Sequence, residues 1–125
     1  MKSKIFVSLF FILLTLAVGL VACGAPEPTP IGDATVGKTK FEGTCVSCHG
    51  PDAKGLPNLG KDLTTSEFFR TTSDLDLVTF VSTGRPTSDP ANTTGVDMPP
   101  KGGNPALSEQ DIKDIISYIR TLQQQ

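Results

Sequence analysis

The side chains of this sequence best suited to chemistry are Cys45, Cys48 and His49, which fall together in Cys45-Val46-Ser47-Cys48-His49. Two thiols three positions apart serve zinc ligation, a redox dithiol, a structural disulfide or thioether attachment of a c-type haem. The histidine directly behind the second thiol favours the last. Two vinyl groups on one porphyrin edge each take a cysteine sulfur, so a tight turn must separate the sulfurs. The next residue is then held under the ring, where its imidazole can ligate iron. A structural zinc site wants four nitrogen or sulfur ligands, and the chain offers only Cys23, Cys45, Cys48 and His49; with Cys23 committed to the N-terminal segment, zinc is left short of a ligand. A thioredoxin-like dithiol would follow a strand in a βαβ unit, whereas the residues before Cys45 read as helix. The expectation is one haem c, covalent through Cys45 and Cys48, with His49 as an axial ligand.

The sixth iron position decides what such a haem does, because an open site binds small molecules while a filled one favours electron transfer. The chain has one histidine and two methionines, Met1 and Met98. Met98 lies in Val96-Asp97-Met98-Pro99-Pro100, a segment too stiff and polar for ordinary core, and its thioether is a soft ligand suited to haem iron. The metal ligands expected are therefore His49 and Met98. The chemistry they imply is one-electron shuttling, with the thioether raising the reduction potential relative to stronger donors.

Helices must position these groups. Asp33 is placed to cap a helix from Ala34 to about Thr44, with Val36 and Phe41 turned inward and Gly37 between them. That helix delivers the haem motif. A short helical turn is expected over Thr65 to Arg70, with Phe68 and Phe69 as core candidates. Ser73 caps a helix from Asp74 to Thr83 that stops at Gly84, with Leu75, Leu77, Val78 and Val81 at near-helical spacing. In the last helix Ser108 and Asp111 make a capping box, and Ile112, Ile115, Ile116, Ile119 and Leu122 trace one apolar stripe. No alternating strand pattern of useful length and no internal repeat is present, so the fold class is all-α. The long Gly/Pro-rich loops, Gly50 to Leu63 and Arg85 to Pro105, are expected to wrap a ligand.

The N-terminal segment reads differently. Lys2 and Lys4 precede an apolar run from Ile5 to Leu20, then Val21-Ala22-Cys23, the pattern of a secretory signal over residues 1–22. Leu20-Val21-Ala22-Cys23 resembles the lipobox of bacterial lipoproteins, in which cleavage precedes a cysteine that carries lipid. In the other reading Cys23 is only a small residue closing the signal. Lipidation accounts for the third cysteine, which in an oxidising compartment would otherwise be an odd free thiol. A Pro-rich linker over residues 23–33 then joins the lipid to a domain of residues 34–125. The 103 residues from Cys23 onward hold no Trp and one Tyr, a thin core that a buried porphyrin would complete. Nine basic residues against thirteen acidic ones give this portion a net charge of about −4, which disfavours nucleic acid and favours basic patches on protein partners.

Taken together these motifs resemble class I cytochrome c. The likeness covers roughly Thr35 to Leu122: Gly37 and Phe41 on the first helix, Cys45 to His49, the Leu56-Pro57-Asn58-Leu59 loop, Arg85-Pro86 followed by Met98-Pro99, and Tyr118-Ile119 on the last helix. It implies first and last helices crossing at Gly37, with Phe41 near Tyr118. It also implies a Pro57 carbonyl accepting from the His49 ring and an Arg85 that neutralises a haem propionate. The function implied is a monohaem electron carrier, not an enzyme and without a small-molecule substrate. It would be lipid-anchored on the outer face of a bacterial membrane and pass electrons between redox proteins. It could serve as a tethered shuttle or as a subunit of a membrane complex, for example one resembling the lipoprotein cytochrome of alternative complex III. A haem enzyme or sensor in which Met98 dissociates is the alternative from another class, and the cytochrome subunit of a periplasmic dehydrogenase is a third.

Overall fold

The computed structural model of the chain describes residues 30–123; the proposed signal, Cys23 and most of the linker lie outside them. Among the described residues five α-helices form: α1 (Ala34–Thr44), α2 (Val46–His49), α3 (Glu67–Thr71), α4 (Asp74–Thr83) and α5 (Glu109–Gln123). A 3₁₀ turn spans Pro100–Gly103. Among the described residues no strand forms beyond one antiparallel bridge, Arg85 to Met98. None of their helices is long and apolar enough to cross a membrane.

Capping sets the helix starts. The Asp33 carboxylate accepts from the Thr35 and Val36 amides, so α1 begins where its orphan N–H groups find a partner. Ser66 caps α3 and Ser73 caps α4 through the Phe69 and Asp76 amides. At α5 the capping box closes both ways: Ser108 N donates to Asp111 Oδ2 at 2.9 Å and Asp111 N to Ser108 Oγ at 3.1 Å. The helix expected over Thr65 to Arg70 runs instead over Glu67–Thr71, with Ser66 as its cap.

The principal contact of the fold is α1 against α5. Gly37 makes it possible, since a Cβ at this position would overlap the Asp114 carbonyl. Backbone thus rests on backbone, and the apolar stripe of α5 closes over Phe41: Phe41, Ile112 and Ile116 are fully buried, with Ile115 and Ile119 nearly so. Phe41 meets Tyr118 edge-on with ring centroids 5.5 Å apart. Two expected inward residues face out instead. Val36 is 42% exposed and Leu75 67%, because the faces buried are those of Gly37 and Phe41 on α1 and of Leu77 and Val78 on α4.

Arg120 ties α5 to the α3–α4 corner. Its guanidinium donates to Asp74 Oδ1 at 2.8 and 3.0 Å, to the Phe69 carbonyl at 2.6 Å and to the Thr72 carbonyl at 2.8 Å. One side chain thereby satisfies the C-terminal carbonyls of α3 and pairs a charge at the start of α4. The linker boundary also shifts. Gly32 N donates to Ser117 Oγ at 2.9 Å and Asp33 N to the buried Asp114 at 2.8 Å, while Ile31 packs on the core. Residues 31–33 therefore belong to the folded domain.

Two outcomes follow. Gly37→Ala forces α1 off α5 and should cost about 2 kcal/mol or more in chemical unfolding of the holoprotein, whereas an alanine at the open Gly43 should cost nothing from crowding. The second concerns acid. Asp111 accepts from Lys40 of α1 at 2.8 Å and from Ser108, and these bonds lower its carboxyl from its ordinary 3.8 to about 2. A carboxyl depressed in the folded state adds stability above its unfolded value, and the contribution disappears as pH falls from about 4 to about 2. Asp111→Asn should therefore lower the thermal midpoint at pH 6, with the gap to wild type closing towards pH 2.

Candidate functional site

α1 ends where the haem motif begins. The Cys45 amide still donates to Phe41, and α2 follows at once, with His49 N bonded to Cys45 O at 2.9 Å. This one turn of helix sets the spacing of the two sulfurs and the histidine. Cys45, Cys48 and His49 line a cleft of about 270 Å³, and so do Arg85 and Met98. Its apolar walls include Phe41, Leu63, Phe68, Phe69, Phe80 and Ile119. Phe68 is 41% exposed in this structure although the sequence placed it in the core, because it faces this cleft.

Burial, with the neighbouring Cys48 as a smaller cause, raises the Cys45 thiol to about 11. Among the described residues no three or more His, Cys, Asp or Glu side chains converge as a metal site.

The His49 ring is held by one bond, from Nδ1 to the Lys61 carbonyl at 2.8 Å. This corrects the expected acceptor, the Pro57 carbonyl. Pro57 is exposed and does not line the cleft; the loop turns past it so that residues 59–61 lie against the motif. Gly60 permits this, since a Cβ there would overlap the Cys48 carbonyl. A ring committed through Nδ1 has Nε2 free for a metal, and the carbonyl fixes its orientation and raises its basicity.

On the other limb Gly84 has φ +74°, and a Cβ there would strike the Met98 carbonyl. Arg85 and Met98 then exchange both backbone bonds, at 2.8 and 2.9 Å. The Arg85 guanidinium lies over two rings that meet edge-on, 4.8 Å from Phe68 and 4.6 Å from Phe80. Its Nε is buried and, although 3.2 Å from the Asp89 carboxylate, makes no hydrogen bond of acceptable geometry. Asp89 supplies a counter-charge, and the Nε–H is left for a hydrogen-bond acceptor in the cleft.

Two thiols, a lone histidine, a lone thioether and an arginine with a spare donor share one aromatic cleft, and this donor set fits haem. The family model described as Cytochrome c matches residues 34–123. This chain belongs to the cytochrome c family. It is 39% identical over 95 residues to cytochrome c-554(547) of Halothiobacillus neapolitanus, an alignment covering 73% of this chain and 98% of that protein. It is 33% identical over 97 residues to the cbb3-type cytochrome c oxidase subunit CcoP of Rhodobacter capsulatus, covering 77% of this chain and 31% of that subunit. With the cytochrome bc1 complex cytochrome c subunit of Mycobacterium tuberculosis it shares 32% over 119 residues, 90% of this chain and 39% of the subunit. The chain thus spans about a third of the length of the two respiratory subunits. No solved structure matches it significantly. As a cytochrome c whose attachment motif is Cys45 to His49, the chain takes haem c covalently, in an all-α fold.

The Lys61 acceptor can be tested through the cofactor. Gly60→Ala pushes residues 60–61 away from the haem motif and weakens the bond to His49, so the imidazole donates less to iron. The midpoint potential should rise, measured by redox titration of the holoprotein.

Proposed function

We propose that the protein is a membrane-tethered cytochrome c that passes single electrons to and from redox proteins of a bacterial respiratory chain. The observation that carries this reading is the convergence of Cys45, Cys48, His49 and Met98 on one apolar cleft. When bound there, the haem supplies a one-electron couple. Cys45 and Cys48 would hold it covalently, and His49 through Nε2 and Met98 through sulfur would ligate its iron. Filled positions favour outer-sphere transfer and disfavour turnover of a small substrate. The phenylalanine walls keep water from the ring, and Arg85 gives a propionate its counter-charge.

Tethering is supported by sequence. Leu20 to Cys23 reads as a lipobox, and the Pro-rich stretch behind it is a spacer. With residues 31–33 fixed to α5, the Pro-rich stretch of residues 24–30 would span roughly 20 Å if extended. A tether this short keeps the domain near the membrane surface. Two of the relatives named above are, by their names, subunits of an oxidase and of a bc1 complex, and they support a membrane complex as the partner.

Expression of the full chain in a bacterium that matures lipoproteins and c-type cytochromes tests the reading. Wild type should sediment with membranes, Cys23→Ser should be released, and mass spectrometry should find lipid on Cys23. A soluble wild type or an unmodified Cys23 would contradict the tether. In mild detergent the protein should co-migrate with a larger haem-containing complex; migration alone would leave it a tethered shuttle.

A further inference from the structure

Residues 86–97 leave the domain and return to the same point, since the Arg85–Met98 bridge closes the loop at its base. Twelve residues without regular secondary structure are costly to hold in one shape, and here they are held by side chains. Asn92 is the centre. Its Nδ2 donates to the Val96 carbonyl at 2.8 Å and to the Pro86 carbonyl at 3.3 Å. Its Oδ1 accepts from Gly95 N at 3.0 Å, from Thr94 N at 3.2 Å and from Thr94 Oγ1 at 3.3 Å. Both donor and acceptor ends of the amide are in use, and they join the outgoing limb at Pro86 to the returning limb at Val96. Asp89 shapes the outgoing limb, accepting from Ala91 N at 2.8 Å, and the Asp97 carboxylate ties the returning limb to Thr87 N.

The loop sits where it can act on the iron ligand. Ala91, Asn92, Thr94, Val96 and Asp97 line the cleft with Met98. No residue of the loop belongs to the hydrophobic core or to the side chains packed on it. Its order therefore bears on the position of Met98 more than on whether the domain folds. A thioether is a weak donor to iron, and its occupancy of the sixth position depends on being held there against competitors.

We propose that Asn92 is a positioning residue for the sixth iron ligand: it locks the 86–97 loop into a closed lobe, and the lobe keeps the Met98 sulfur on the iron and outside ligands off it. The proposal rests on the reading that Met98 ligates iron. An opened lobe lets Met98 swing away, and the fraction of time it is away sets the apparent affinity for any competitor.

The test is a titration of the oxidised, haem-loaded protein with imidazole, followed by loss of the weak long-wavelength charge-transfer band that ligated methionine gives. Asn92→Ala should bind imidazole about ten-fold more tightly than wild type. Asn92→Asp, which keeps the acceptor but loses both donors to Pro86 and Val96, should do at least the same. Ser88→Ala, an exposed change in the same loop, should bind imidazole as wild type does. Unchanged imidazole affinity in Asn92→Ala with the band intact overturns the proposal. A wild type without the band, or a Met98→Ala protein that keeps it, overturns instead the ligand assignment beneath it. Should Asn92→Ala yield no holoprotein, hydrogen exchange of the wild type decides: protection of the Gly95 and Met98 amides supports the lock, and exchange at free-loop rates overturns it.

Discussion

The close approach of α1 and α5 at Gly37 is the contact on which the rest of the structure depends. With no Cβ in the way, the backbone of α1 lies on the backbone of α5 at Asp114, and the isoleucine stripe of α5 closes over Phe41. This fixes the direction of α1, and α1 runs straight into the haem motif. About 16 Å of helix separates the anchored Asp33 from Cys45, so the cleft opens at the far end of α1 from Asp33. The same α5 carries Arg120, which holds the corner whose phenylalanines form the opposite wall.

The two sides of the cleft are built on different principles. On the histidine side the sulfurs and the imidazole share one turn of helix, so their spacing is set by backbone geometry, and a single carbonyl orients the ring. On the methionine side the ligand sits in a loop with no helix or sheet of its own. There the position is secured by a backbone bridge, a glycine that admits close contact and an asparagine that joins two limbs of chain. A strong nitrogen donor needs little further support. A weak sulfur donor needs a scaffold, and residues 86–97 supply one.

Much of this was legible in the sequence because the signals are local. Asp33, Ser73 and the Ser108–Asp111 pair announce helix starts through side chains that reach amides two or three residues away, and all three act as read. The ligand candidates stood out because they are scarce: one histidine, and one methionine besides Met1. What escaped depends on how distant segments meet. Val36 and Leu75 fit an apolar pattern, yet among the described residues nothing covers those faces. The exchange of Pro57 for Lys61 turns on how the loop folds past the motif, which no short window contains. Asn92 gave no signal beyond its presence in a long loop, since its partners are carbonyls and amides, which every residue has. The fixing of residues 31–33 likewise needs Asp114 and Ser117, some eighty positions away.

The central claim is that His49 and Met98 bracket the iron as its two axial ligands. Proton NMR of the reduced holoprotein measures it most directly, because a methionine methyl held on the iron lies in the ring current of the porphyrin. The account predicts one three-proton methyl resonance far upfield of every other methyl in wild type, absent from Met98→Ala. A wild-type spectrum in which the Met98 methyl resonates at the ordinary methionine position would contradict it.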